Sequence, residues 1–146
     1  MQITAKVVSS SATYQASVST GESSQLVAVA PKSDGRGSSI NGGEFLMLAL
    51  ATCYCNDLYR EAQRLGILIE SAEVEASAEF LGIGLAATNI SYRAHVQSPA
   101  CADAVLRLMR ETDAVAEVHN TIRAGVPVHL MVGPTVPPLS ADVARA

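Results

Sequence analysis

The chain has 146 residues, of which 49% are hydrophobic and 16% charged, a composition that excludes an intrinsically disordered protein. The net charge of −4 and the presence of only two lysines, Lys6 and Lys32, argue against nucleic acid as a partner, because nucleic-acid-binding domains usually carry a basic patch. The length predicts a single domain over residues 1–146, with a proline-rich C-terminal tail at residues 134–146.

The start of the chain predicts a cytoplasmic protein. The first residues, MQITAKVVSSS, lack the apolar core of a signal peptide. The longest nearly apolar run, residues 45–55, is too short to span a bilayer, so we expect no membrane partner. In a reducing compartment the three cysteines are expected to be free, buried or redox-active rather than joined in structural disulfides.

Residues 3–31 predict three short β-strands. The stretches ITAKVV, TYQASVS and QLVAVA are rich in β-branched residues and are separated by serine and glycine turns. Residues 31–43 then form a predicted loop that is dense in glycine, serine, aspartate and asparagine.

A long helix is predicted after this loop. Asn41 is its expected N-cap, Glu44 places a carboxylate in its first turn, and Gly66 is expected to end it after residue 65. The N-terminal half of the helix is apolar on nearly every side. Because such a helix must be covered on every side, we expect this half to run through the centre of the molecule.

The next segment, ILIESAEVEASAEFL, alternates between apolar and polar residues and predicts a half-exposed antiparallel strand. The turn LGIG leads to a returning strand, ATNISYRAHVQS. The side chains expected to face inward are Val74, Ala76, Ala78 and Phe80 on the first strand, and Ile90, Tyr92, Ala94 and Val96 on the second.

Two further helices and a last strand complete the predicted fold. Ser98 is the expected N-cap of the second helix, with Pro99 at its first helical position, and residues 113–123 form the third. The stretch VPVHLMV, residues 126–132, is the predicted final strand. The order β-β-β-α-β-β-α-α-β, with strands grouped in runs, indicates an α+β fold.

The cysteine pair Cys53-x-Cys55 is not a metal or disulfide motif. On a helix, side chains two positions apart point about 200° apart, so the two thiols cannot share an ion or form a relaxed disulfide. No histidine or third cysteine lies at ligand spacing from the pair, and we predict no metal and no cofactor. Packing is the expected role of Cys55, whereas Cys101, near the start of the second helix, is either a reactive or an incidental surface thiol.

The stretch NGGEFLMLALATC and the following AEVEASAEF resemble the central helix and next strand of the OsmC/Ohr family. NTIRAGVPVHLMV is similar to the closing segment of that family, so the resemblance covers essentially the whole chain. It implies an OsmC-like fold in which two chains form an intertwined homodimer and each central helix is buried against the partner. It also implies a thiol peroxidase acting on organic hydroperoxides, with Cys53 as the nucleophile that becomes a sulfenic acid.

Other parts of the family's peroxidase machinery are not matched. The position of the resolving cysteine falls near Ala116, and the helix-start glutamate position is occupied by Gly43, with Glu44 one residue later. Arg36 is the only arginine before the helix and is the candidate for activating the thiolate. His119, near the serine of the resolving-cysteine motif, is a further candidate supporting group.

Two functions therefore remain open. The first is a one-cysteine peroxidase in which Cys53 is oxidised by an organic hydroperoxide and reduced by an external thiol. The second is a non-catalytic homodimer of the same fold that binds a small hydrophobic or reactive ligand, with Cys53 buried and inert. A purely structural dimerising domain is a third, weaker alternative.

Overall fold

The chain forms two antiparallel sheets and three helices in a computed structural model that describes residues 1–11 and 13–133. The first sheet contains β1 (Ile3–Ser9), β2 (Tyr14–Thr20) and β3 (Ser23–Val27), and the second contains β4 (Ser71–Glu79) and β5 (Thr88–Gln97). The helices are α1 (Gly42–Leu65), α2 (Ala102–Val115) and α3 (Glu117–Arg123). This mixed α+β arrangement follows the predicted order through its eighth element. The predicted tail, residues 134–146, lies outside the described residues.

The first sheet is a meander in which both connections are antiparallel. Ala5 pairs with Val18, Val7 pairs with Ala16, and Ala16 pairs with Val27, so these apolar residues share one face of the sheet. A two-residue turn that begins at Gly21, with φ 57°, joins β2 to β3. Every residue of β1 is exposed, so the other described residues leave the apolar face of this sheet largely uncovered.

Helix α1 begins and ends as its sequence predicts. The side chain of Asn41 accepts a hydrogen bond from the Glu44 amide, the Glu44 carboxylate accepts one from the Asn41 amide, and together they form a capping box. Gly66 adopts the left-handed conformation, with φ 67°, and its amide donates to the carbonyls of Ala62 and Gln63.

The expected burial of the N-terminal half of α1 is wrong for the single chain. The buried side chains lie mostly in the C-terminal half, where Tyr54, Leu58 and Ala62 form a stripe at four-residue spacing that packs on Leu108 of α2. In the N-terminal half, Leu48 is 56% exposed. The reason is that β4, β5, α2 and α3 cover the C-terminal half, whereas the described residues cover only part of the other half.

The alternation of β4 and β5 is confirmed along most of both strands, and their inward residues pack on the core stripe of α1. The exceptions are Phe80 and Ile90, which were expected to face inward but are 52% and 38% exposed. Phe80 lies just beyond β4, and its ring packs over the start of α1. A Cβ atom at Gly43 would come within 2.9 Å of that ring, so a side chain at this position would require the ring to shift.

The predicted starts of α2 and α3 need correction. Ser98 is not a helix cap, because its hydroxyl donates to the Leu68 carbonyl at 2.6 Å and accepts from the Ala100 amide at 3.1 Å. Cys101 occupies the N-cap position of α2 instead and makes no side-chain capping bond. Residues 113–115 belong to α2, and α3 begins only at Glu117.

The predicted last strand is also wrong for the single chain. Residues 126–132 have no strand structure, and Val128 and Leu130 are 98% and 87% exposed. A strand needs a neighbouring edge with which to share its backbone hydrogen bonds, and the described part of this chain pairs no edge with this segment. Among the described residues, no helix combines the length and the apolar character needed to cross a bilayer.

Candidate functional site

The candidate site is centred on Cys53, in the middle of α1. Its thiol is half-buried and donates a hydrogen bond to Oδ2 of Asp57, with 3.4 Å between the sulfur and the oxygen. The two residues are four positions apart, which brings their side chains together on one side of a helix. A thiol and a carboxylate therefore meet through local helix geometry alone.

Arg60 connects this carboxylate to a second one. The side chain of Asp57 is almost fully buried, and its Oδ1 atom lies 2.8 Å from Nη1 of Arg60. The same guanidinium nitrogen is 3.5 Å from a carboxylate oxygen of Glu117 at the start of α3. Arg60 therefore neutralises charge on the two carboxylates that flank the thiol.

The junction between α2 and α3 forms the other side of the site. The backbone amide of Val118 faces the sulfur of Cys53 and acts to lower the pKa of the thiol. Ala116, which precedes α3 and is fully buried, lies near the position at which the family resemblance expects a resolving cysteine. The structure thus brings this segment to the thiol but offers no sulfur there. All three cysteines are free, and Cys101 is exposed.

The surroundings of Cys53 favour a protonated thiol. Burial raises the pKa of Cys53, the negative charges of Asp57 and Glu117 raise it further, and the Val118 amide only partly opposes them. Burial likewise raises the pKa of Asp57, against the opposing effects of its hydrogen bond from Cys53 and its ion pair with Arg60. The site is therefore a thiol beside a proton acceptor, rather than a pre-formed thiolate.

Glu44 and Arg36, two of the predicted supporting residues, are not brought to Cys53. The carboxylate of Glu44 is engaged in the capping box, and Glu44 lies nine positions before Cys53, which separates the two by about 13 Å along the helix axis. Arg36 is exposed in the loop before α1 and forms no hydrogen bond or ion pair with a described residue.

His119, the third supporting candidate, is buried beside the site rather than bonded to it. Its side chain is 3% exposed, and its ring packs edge-on against Tyr92 at 4.5 Å and Tyr54 at 5.9 Å. Neither ring nitrogen has a hydrogen-bond partner among the residues that the structure describes. His119 is thus a neighbour of the thiol site through Val118 and belongs to a separate aromatic cluster.

Cys53, Asp57 and Glu117 together place three potential cation ligands at the site. Ligand atoms of Cys53, Asp57 and Glu117 all lie within 4.8 Å of one another. Three ligands are one fewer than a closed zinc site needs, and the Arg60 guanidinium already supplies positive charge to both carboxylates. The expectation that no metal binds, which considered only the cysteines and histidines, did not foresee these carboxylates.

Sequence reasoning missed Asp57, Arg60 and Glu117. Asp57 could have been found, because a polar residue four positions after a helical cysteine lies on the same face. Arg60, three positions after Asp57, follows by the same rule. Glu117 has no such signal, because its approach depends on how α3 packs against α1.

The sequence model of one family, described as OsmC-like protein, matches residues 35–131. No protein with a curated description is detectably similar in sequence. Among solved structures, the chain is similar to an OsmC-like protein from Mycoplasma pneumoniae, with a TM-score of 0.61, 16% identity, and 84% of this chain and 86% of that chain covered.

Two further structures are similar to this one. An OsmC-like hydroperoxide resistance protein from Jannaschia sp. has a TM-score of 0.54 at 14% identity, with 91% of this chain and 93% of that chain covered. An organic hydroperoxide resistance protein OsmC from Legionella pneumophila, also described as a predicted redox protein, has a TM-score of 0.56 at 15% identity, with coverage of 84% and 90%. At these identities the likeness shows a shared fold.

Proposed function

Because the chain belongs to the OsmC-like protein family, we propose that it reduces organic hydroperoxides in a one-cysteine cycle at Cys53. The observation that carries the proposal is the hydrogen bond from the Cys53 thiol to Asp57, which gives a protonated thiol an immediate proton acceptor. The description of two structural relatives as hydroperoxide resistance proteins supports this substrate class.

In the oxidative step, the sulfur of Cys53 attacks the terminal oxygen of the hydroperoxide. The S–O bond forms as the O–O bond breaks, the thiol proton passes to Asp57, and the leaving oxygen takes a proton to become an alcohol. Thiol plus hydroperoxide thus gives sulfenic acid plus alcohol, with the sulfur oxidised and the peroxide reduced. Arg60 holds the Asp57 carboxylate in position for both proton transfers.

In the reductive step, an external thiol replaces the resolving cysteine that the site lacks. It condenses with the sulfenic acid of Cys53, releasing water and forming a mixed disulfide. A second external thiol attacks the external sulfur of that mixed disulfide, so that the two external thiols leave joined as a disulfide and Cys53 is restored as a thiol. A cytoplasmic location is part of this proposal, since that compartment supplies reduced thiols.

The proposed active form is an intertwined homodimer. Among the described residues, the exposed apolar parts include the face of the first sheet, much of the N-terminal half of α1 and residues 126–132. A partner chain would cover these surfaces and supply the sheet edge that residues 126–132 lack.

The test is mass spectrometry of the reduced protein after near-stoichiometric cumene hydroperoxide in the presence of a sulfenic-acid trap. We expect rapid, saturable trapping on Cys53, its loss in Cys53→Ser, and its retention in the matched variant Cys55→Ser. In a parallel sample oxidised without the trap, addition of a small thiol should return Cys53 to its reduced form. Oxidation confined to Cys101, with Cys53 unmodified, would refute the peroxidase.

A second candidate, a non-catalytic dimer that binds a small hydrophobic or reactive ligand, is favoured by the electrostatics of the thiol. Asp57 and Glu117 raise the pKa of Cys53, whereas a peroxidatic cysteine needs its thiolate. An inert Cys53 in the trapping experiment, together with an intact fold, would make this binding function the better account.

A further inference from the structure

The thiol of Cys53 lies beside more negative charge than positive charge. Single atoms of Cys53, Asp57 and Glu117 all lie within 4.8 Å of one another, so a group that reaches the sulfur comes close to both carboxylates. Asp57 is almost fully buried, whereas the side chain of Glu117 is 71% exposed. Glu117 therefore places its charge where solvent meets the site.

Arg60 does not cancel this charge. Its guanidinium contacts the carboxylates of Asp57 at 2.8 Å and Glu117 at 3.5 Å. It also contacts Glu61 at 3.4 Å, but Glu61 is balanced by Arg64, whose Nε lies 2.6 Å away. One guanidinium is left to balance two carboxylates, which leaves one negative charge uncompensated beside the thiol.

The surrounding groups do not supply the missing positive charge. Among the described residues, no second cation pairs with Asp57 or Glu117. The neighbouring ion pair between Arg123 and Asp113 is neutral. Burial, and then the charge of Arg123, lower the pKa of His119, so its imidazole is uncharged at neutral pH. The chain as a whole carries a net charge of −4, which acts in the same direction at long range.

This charge selects among external thiols. The one-cysteine cycle proposed above, on which this inference rests, needs an external thiol that condenses with the sulfenic acid of Cys53 and releases water. We propose that this thiol carries a positively charged group a few bonds from its sulfur, as aminothiols do, because that group meets the uncompensated carboxylate as the S–S bond forms. Coulomb's law gives about a threefold effect for two unit charges ~6 Å apart in water, so a cationic thiol should react about tenfold faster than an anionic thiol of the same size.

The test measures how thiols of different charge attack the sulfur of Cys53, without any peroxide. Cys53 of a Cys55→Ser, Cys101→Ser protein is converted to its thiopyridyl disulfide, and each attacking thiol then forms an S–S bond with Cys53 as thiopyridone leaves. Cysteamine, 2-mercaptoethanol and 3-mercaptopropionate share one two-carbon skeleton and end in an ammonium, a hydroxyl and a carboxylate group. Each rate is divided by the rate of the same thiol with the thiopyridyl disulfide of a neutral cysteine peptide, which cancels the acidity and nucleophilicity of the thiol itself.

We expect the corrected rates to fall from cysteamine through 2-mercaptoethanol to 3-mercaptopropionate, by about tenfold in all at an ionic strength of ~0.01 M. This range should largely disappear at ~1 M, where the Debye length is about 3 Å. Glu117→Gln should likewise remove most of the range. Glu73→Gln changes the net charge equally, but on the exposed face of β4, and should leave the range intact. Circular dichroism checks that both variants keep the native fold.

Equal corrected rates, or a faster reaction of 3-mercaptopropionate, would overturn the proposal. So would a charge preference that survives in Glu117→Gln, or a Cys53 that the thiopyridyl reagent cannot reach, since an external thiol could not reach it either. A failure of the peroxidase is a different result, namely no sulfenic-acid trapping on Cys53 while the exchange rates still rank by charge.

Discussion

The thiol of Cys53 and the carboxylate of Asp57 share a hydrogen bond of 3.4 Å across one turn of α1, and this contact links the acidity of the sulfur to a route for its proton. The carboxylate is buried and held by Arg60 at 2.8 Å, so it cannot swing into solvent without losing an ion pair. The arrangement disfavours the free thiolate but supplies a base at the moment of reaction.

The pH dependence of Cys53 alkylation should reflect the raised pKa of its thiol. Because burial and then the nearby carboxylates raise the pKa of Cys53 above its ordinary value of 9.0, its thiolate fraction should still be rising beyond pH 9. We expect the iodoacetamide rate to increase about tenfold per pH unit between pH ~7 and ~9. Mass spectrometry on a Cys55→Ser, Cys101→Ser background measures it. A plateau at or below neutral pH would contradict the described electrostatics.

The variant Asp57→Asn should separate the effect of Asp57 on the acidity of Cys53 from its role as a proton acceptor. Removing the carboxylate's charge lowers the pKa of Cys53, so alkylation at neutral pH should speed up by as much as about tenfold. Oxidation by cumene hydroperoxide should slow relative to alkylation, because the proton shuttle is lost.

Glu61→Gln is the matched control for Asp57→Asn, because Glu61 also contacts Arg60 and is buried but does not touch the thiol. It should leave the ratio of oxidation to alkylation unchanged. Equal acceleration of both reactions in Asp57→Asn would show that Asp57 only suppresses the thiolate and carries no proton.

Val7→Asp should dissociate the proposed homodimer. Val7 lies on the apolar face of the first sheet, and an unpaired charge buried there should cost about 3 kcal/mol or more, a loss of roughly a hundredfold in dimer affinity. Sedimentation velocity over a concentration series measures this change. Val8→Asp, one residue along on the opposite face of β1, is the control and should leave the dimer intact. Identical sedimentation of both variants as parent-like dimers would place the interface elsewhere.

Glu44→Ala should reduce stability without changing the thiol chemistry. Glu44 closes the capping box with Asn41, and losing such a contact costs about 0.5–2 kcal/mol. Urea unfolding at fixed protein concentration should show this loss, and Asn41→Ala should show a similar one. The rate of Cys53 oxidation should stay unchanged, since Glu44 lies about 13 Å away along the helix. A fall in the Cys53 oxidation rate under conditions in which the variant is fully folded would show that Glu44 does support the reaction of the thiol.

The amino-acid sequence by itself determined the local features of this protein. Helix α1 begins after Asn41 and ends before Gly66, as predicted, because capping depends on groups only a few residues apart. The inward sides of β4 and of most of β5 followed from alternation with period two. The contact between Cys53 and Asp57 likewise follows from their four-residue spacing on a helix, although it was not among the predicted contacts.

Only the tertiary structure decided which distant residues meet. The approach of Glu117 and Val118 to Cys53 depends on the packing of α3 against α1, which no local pattern encodes. The same reason explains why the sequence of residues 126–132 predicts a strand although this segment forms no strand in the structure. Strand propensity is local, but a strand exists only where another segment of chain offers its edge.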